Sequence, residues 1–258
     1  KTWQDLADAA KKVKEKNKDM TGWEPMWGKD NLVDAVLSNG GSMFSDDGKT
    51  VCINSDAWVE VWDSFKKWIH DDKIMKIHSG GQGWEYWYKT IDDVLANKAG
   101  GYTGSSGDQA DLDFTKVAAM EQPGWGNNAS APTADALQLV MLENSSDEEK
   151  QGVYEFMKYF TTPENQAKWS METGYVAVRK STQDVKEFKD YTKKNPQALV
   201  PLQQASHGSV LPTDPTGGKI YDALKVAADK VEIEGVSAKD ALDEAQKTAE
   251  DAMASVSN

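Results

Sequence analysis

Ser146-Asp147-Glu148-Glu149 opens a stretch that continues through Tyr154-Glu155-Phe156-Met157-Lys158-Tyr159-Phe160 and into Thr162-Pro163-Glu164-Asn165-Gln166-Ala167. Ser146 with Glu149 three residues on is a capping box, in which hydroxyl and carboxylate satisfy the first free amides of a helix. The helix then runs through Val153, Phe156, Met157 and Phe160. Thr162-Pro163 starts another at once, since proline is tolerated at the first helical position, and carries it to about Met171. Two short-linked helices of this kind belong to a helix-rich globular protein.

Working outward, Thr2 precedes a helix with Trp3, Leu6, Ala7, Ala10 and Val13 on one face. Ser55 caps a second, whose Trp58, Val61, Trp62, Phe65 and Trp68 recur at a spacing of three to four and read as core. A short helix is expected over Thr90 to Asn97, and others over Asp184 to Lys193, Gly218 to Val231, and Ser237 to Met253. Strands are expected at Thr50–Ile53, Gly101–Thr103, Val117–Met120, Leu137–Leu142 and Tyr175–Val178. Gly80 to Gly83 and Gln122 to Pro132 are loop-rich. Strands alternating with helices make the fold class α/β, with short sheets covered by helices.

Composition narrows the function. The 258 residues carry a formal net charge of -13, and Arg179 is the sole arginine among 29 basic residues. Nucleic acid and anionic lipid both require clustered cations, so neither is an expected partner. Cys52 is the one cysteine, which excludes a disulfide framework and a cysteine-based metal site. No apolar run approaches the ~20 residues of a membrane helix. The chain opens on Lys1-Thr2-Trp3 without a start methionine, so it reads as processed or cut from a longer protein.

Catalytic patterns are absent. His70, His78 and His207 stand far apart, none in a metal-binding spacing, and no nucleophile elbow occurs; no metal and no cofactor is expected. Forty-two carboxylates leave a glycosidase-type pair open. Gly104-Ser105-Ser106-Gly107-Asp108 follows a strand and precedes a helical turn. It reads either as an ordinary cap or as a place where free amides and two hydroxyls meet a sugar or a phosphate. Ten tryptophans against six phenylalanines suggest aromatic platforms. Trp23, Trp27, Trp84 and Trp87, with Tyr86, sit among Gly, Pro and polar residues rather than on periodic faces, and sugar rings stack on such planes.

Several of these segments together resemble the extracellular solute-binding proteins of carbohydrate ABC importers, the group of the maltose-binding and glycerol-3-phosphate-binding proteins. Lys1 to Leu6 is similar to the family's P-x-T-W-x-E-L segment, Asp92 to Gly100 to its F-x-x-G-K-A-A-M stretch, and Gly104 to Gly107 to its G-S-W/S-S-G loop. Tyr154 to Ala167 resembles A-x-x-F-x-x-F-L-x-x-P-E-x-Q, Thr173 to Val178 resembles T-G-Y-L-P-V, and Val236 to Leu242 the terminal T-P-E-E-A-L helix. Their order matches across the chain.

The resemblance implies a type II periplasmic-binding-protein-like fold that comprises the second lobe plus part of the first. Residues 1–133 and 184–258 would form the second lobe, and 134–183 would return to a first lobe that is largely missing, leaving apolar surface around Phe156, Phe160 and Trp169 exposed. It implies a monomeric, extracellular or periplasmic binding protein, not an enzyme, that delivers a sugar to ABC permease subunits. Contact with the membrane would run only through a lipid anchor on the absent amino end. Ligand groups would lie in Trp23, Trp27, Asn39, Gly40, Trp84, Trp87, Ser105, Ser106, Gly107, Thr133 and Asp135. Trp27 and Trp84 are the expected stacking platforms, Ser105 and Ser106 the donors, and Asp135 a hydroxyl acceptor. The Ser206 to Leu211 loop is a further candidate. Glycerol 3-phosphate or its diesters are the alternative ligand, a glycoside hydrolase the alternative class, and a sensor or adhesin on the same fold a third.

Overall fold

The computed structural model describes residues 1–136 and 138–256. Their contacts divide them into two compact units: Lys1–Gly104 with Gln122–Thr133 and His207–Asn258, and Ser105–Glu121 with Ala134–Ser206. The second unit therefore includes 105–121 and runs on to Ser206, whereas the expected return segment spans 134–183.

The larger unit begins with α1 (Trp3–Lys16), closed at its start by a complete Thr2–Asp5 capping box. β1 (Glu24–Pro25) pairs in parallel with β2 (Tyr102–Thr103), Glu24 opposite Tyr102. Single parallel bridges extend this pairing from Thr21 to Ala99 and from Trp23 to Met75. Around it lie α2 (Lys29–Ser38), α3 (Asp56–Lys66) with a π-helical continuation over Lys67–Asp71, and α4 (Glu85–Leu95). The long helices α9 (Lys219–Glu232) and α10 (Ala238–Val256) complete the unit.

The core of this unit is aromatic. Trp58, Val61, Trp62 and Phe65 of α3 are fully buried, as their spacing predicts. Trp3 meets Phe65 edge-on at 4.9 Å, Phe65 meets Trp68 at 5.3 Å, and Trp68 meets Trp125 at 5.9 Å. Trp125, which lies in the Gly- and Asn-rich loop, is thus core, and its indole N–H donates to Glu60 Oε1 at 2.9 Å. Leu32, Val36, Ile220, Leu224 and Leu242 close the cluster from α2, α9 and α10.

The smaller unit holds α5 (Asp147–Phe160), α6 (Pro163–Thr173), α7 (Lys186–Lys194), α8 (Val200–Ala205) and 3-10 turns at Ser106–Asp111, Lys180–Asp184 and Pro196–Leu199. The Ser146–Glu149 box and the Thr162 cap form as expected. Few of its apolar residues are buried: Ala167 and Phe188 are, while α5 buries none. The expected apolar exposure is present, with Phe156 at 54% and the Phe156, Phe160 and Trp169 rings touching in series at 6.0 and 5.3 Å.

Four expectations change. Val117–Met120 and Tyr175–Val178 form no strand, nor do residues 138–142, while Leu137 lies outside the described residues; a strand needs a partner, and these segments have none among the described residues. Thr50–Ile53 contributes one antiparallel bridge, Phe44 to Val51. α4 starts at Glu85 rather than Thr90, because Glu85 reaches back to accept from the Gln82 amide at 3.0 Å. α2 has no counterpart in the expected elements: Asn31, Asp34 and Ser38 recur on one face at a spacing of three to four, but that face is itself buried.

Candidate functional site

Trp27 lies two residues beyond β1, and Gly28 caps the start of α2 at φ 104°, a left-handed backbone that glycine adopts freely. The Trp27 indole N–H donates to Asp229 Oδ1 at 2.8 Å, which holds the ring upright beside α9. Its face meets Tyr86 edge-on at 5.0 Å. Tyr86 lies 6.3 Å from Trp84 and from Trp87, and those two rings meet at 5.8 Å. The result is a continuous aromatic shelf, with Trp84 at its outer end and 64% exposed. Trp84, Tyr86 and Trp87 belong to the cap and first turn of α4.

Carboxylates flank the shelf. The Gly28 amide donates to Glu232 Oε2 at 2.9 Å, and the other Glu232 oxygen is buried without a partner. Burial, with Asp229 and Asp30 nearby, pushes the Glu232 carboxyl up to about 8, so it is neutral at physiological pH. Burial and then Asp30 likewise raise the Tyr86 hydroxyl. Lys29, the cation at this point, is paired with Asp30 and lies 4.9 Å over the Tyr221 ring. Aromatic faces beside acids suit neutral hydroxylated rings and cations better than anions.

The other predicted residues are placed differently. Trp23 is half-buried wall: its N–H donates to Thr103 Oγ1 at 2.9 Å and its ring edge lies against Gly101. Asn39 and Gly40 form the carboxyl-terminal turn of α2, about 15 Å along the helix from Gly28. The Asn39 amide is directed to the Ala57 carbonyl and Glu60. Thr133 gives its amide and its hydroxyl to Asp34 Oδ1, at 2.8 and 2.7 Å, while Gln122 donates to Oδ2. Burial raises the Asp34 carboxyl, opposed by those hydrogen bonds. Ser209 bridges to Thr133 in parallel and donates its hydroxyl to the Ala131 carbonyl, which places the 206–211 loop beside the 131–133 segment.

In the smaller unit, Ser105 caps the 3-10 turn. Its oxygen accepts from the Gly107 amide at 3.1 Å, and Asp108 accepts from the Ser105 amide at 3.0 Å. A carboxylate therefore occupies the donors that a phosphate would need. Ser106 is half-buried, and Gly107 lies against the Tyr175 ring, where a Cβ would come within 2.8 Å. Asp135 is exposed and accepts from the neighbouring Ala136 amide.

Sequence reasoning missed Asp229, Glu232 and Asp34, because nothing local joins Trp27 to an acid some 200 positions on. It also missed a cluster of Glu24, His78 and Asp93, whose ligand-type atoms lie within 4.8 Å of one another. Among the described residues no helix is long and apolar enough to cross a membrane.

A parallel strand pair walled by helices is the fold of the type II periplasmic binding proteins. Solved structures share it. UgpB from Mycobacterium tuberculosis in complex with glycerophosphocholine superposes with a TM-score of 0.79 at 16% identity, covering 98% of this chain and 64% of that one. The sugar-binding protein MalE from Xanthomonas citri gives 0.79 at 15%, covering 99% and 64%, and maltose-bound Thermotoga maritima MalE3 gives 0.76 at 16%, covering 96% and 64%. The chain belongs to the bacterial extracellular solute-binding proteins, whose family profile matches residues 1–197. Among curated relatives, the sn-glycerol-3-phosphate-binding periplasmic protein UgpB of Escherichia coli K12 is 30% identical over 74 residues, 29% of this chain and 17% of that protein. The chain thus spans 17% of the curated relatives it matches and about two-thirds of the solved ones.

Proposed function

We propose that this chain captures a small hydroxylated ligand, a sugar or oligosaccharide, outside the cell or in the periplasm and presents it to the membrane subunits of an importer. The observation that carries this is the Trp27–Tyr86–Trp84–Trp87 shelf flanked by Asp30 and Asp229. Sugar C–H faces stack on such rings, and carboxylates accept their hydroxyls. The protein acts by binding and release rather than by bond cleavage, as a monomer, and any membrane attachment is through lipid at its amino end. Residues 1–133 and 184–258 serve as the second lobe and 134–183 as the return to the first. The bare face of α5 supports this, because a partner surface would cover it. Within the larger unit Thr133 contributes polar contacts from its loop, with Asn39 and Gly40 more remote.

A glycerophosphodiester with a cationic head is the second reading. Acids beside aromatic rings suit a quaternary ammonium, and similarity to UgpB proteins of Escherichia coli and Mycobacterium tuberculosis favours it. Thermal-shift titration of the full-length gene product separates the two. The panel holds neutral oligosaccharides, glycerol 3-phosphate and glycerophosphocholine, and a ligand at about 100 times its Kd stabilises by roughly 2.7 kcal/mol. A shift with a neutral sugar supports the first reading, and a shift with glycerophosphocholine alone moves the ligand to the second. No shift with any member sinks both.

A further inference from the structure

We propose that Glu24, His78 and Asp93 form a binding site for one divalent transition ion of the zinc class. Main-chain pairing brings the three together. The Glu24 amide donates to the Gly101 carbonyl, and the Lys76 amide donates to the Trp23 carbonyl, so the 74–78 segment runs beside β1. The Asp93 carbonyl accepts from the Lys98 and Ala99 amides, and Thr21 bonds the same turn, which ties the end of α4 to this pairing. The side chains are thus held on three braced segments, the condition for a preorganised site.

The spacing suits an ion. His78 Nε2 lies 2.9 Å from Asp93 Oδ2 and 3.6 Å from Glu24 Oε2. Ligand atoms about 2.0–2.1 Å from a tetrahedral ion stand about 3.3 Å apart; the two distances to His78 bracket that value, and all three ligand atoms lie within 4.8 Å of one another. One imidazole and two carboxylates, with water in the fourth position, is a zinc-type donor set.

A second observation points the same way. The Glu24 side chain is fully buried, and neither of its oxygens has a hydrogen-bond partner. Lys76 and His78 each stand 3.6 Å from it, and the Thr21 hydroxyl lies beside it. A carboxylate buried in that state is costly unless a cation completes it. Lys76 is an imperfect substitute. Its ammonium sits 3.1 Å from both His78 Nε2 and Asp93 Oδ2, and His78 Nε2 is 2.9 Å from that same oxygen. Nε2 cannot accept from Lys76 and donate to Asp93 together. An ion on the Nε2 lone pair removes the conflict and matches the two carboxylate charges. Lys76, half exposed, then turns to water, and Lys98, 3.6 Å from the other Asp93 oxygen, stays outside.

The test is calorimetric titration of the 258-residue chain, free of any affinity tag, with ZnCl2, and absorption spectroscopy with CoCl2. One ion per chain is expected, with the strong visible bands of low-coordinate cobalt. His78→Gln and Asp93→Asn should each weaken binding by at least about tenfold. Lys76→Ala should bind as tightly or more tightly, and His207→Gln should bind as the parent does. No stoichiometric binding, equal affinity in His78→Gln, or loss of binding in Lys76→Ala would each overturn the proposal; the last would make the cluster an ion-pair network organised by the lysine.

Discussion

Glu232 is an acid kept neutral by its surroundings, because burial disfavours its charge and the Gly28 amide only partly offsets that. Its carboxyl titrates near 8 in the folded chain against a reference of 4.5. The folded state therefore holds a proton that the unfolded state loses across this window. Stability is full below the window and falls as pH rises through it, by an amount on the order of 5 kcal/mol. Glu232→Gln should flatten that fall, with urea midpoints at about pH 5 and about pH 8 drawing together; an unchanged slope would contradict the assignment. At Gly101, a Cβ would come within 2.2 Å of the Trp23 ring. Gly101→Ala should cost about 1–3 kcal/mol by overpacking, read as a lower melting temperature. Trp27→Ala should instead weaken ligand binding by at least tenfold, about 1.4 kcal/mol, in the titration that identifies the ligand. Trp23→Ala should act chiefly on stability.

At the scale of elements, α3 and α5 are opposites. α3 is held by its aromatic stripe, fully buried in the core. α5 buries nothing and relies on the Ser146–Glu149 box. Short helices without tertiary packing are marginal in water, and a lost cap costs about 1 kcal/mol. Ser146→Ala should accelerate hydrogen exchange across α5 while leaving the global melting temperature nearly unchanged. A large drop in that temperature would show that α5 is bound into the cooperative core. The two helices also differ in legibility. Caps are local, so Ser146, Thr162 and Thr2 could be read from neighbours three residues away. α2 carries a polar series, Asn31, Asp34 and Ser38, but the tertiary structure buries that face, so the pattern does not reveal its surroundings.

For the molecule as a whole, the distribution of buried apolar residues is uneven. Trp, Leu and Ile side chains from α1, α2, α3, α9 and α10 form one cluster, while Tyr154, Phe156, Tyr159 and Val178 in the smaller unit are exposed. The smaller unit should exchange its amides faster and open first on heating. An apolar dye should fluoresce on the native chain, and Phe156→Ser should reduce that signal without lowering the main transition. Equal protection of both units would contradict this.

By itself the sequence determined what depends on near neighbours. Helix caps, the α3 stripe, the acidic and arginine-poor surface, and the order of short motifs that mark the family all lie within a few residues of one another. Only the tertiary structure decided which tryptophans face solvent. Trp125 sits in a glycine-rich loop yet is core, packed on Trp68 with its N–H received by Glu60; Trp84 caps a helix yet lies open. It alone joined Trp27 to Asp229, Thr133 to Asp34, and Glu24 to His78 and Asp93. Such pairings are set by where strands and helices cross after the core has closed, and no periodicity along the chain encodes contacts between residues so far apart.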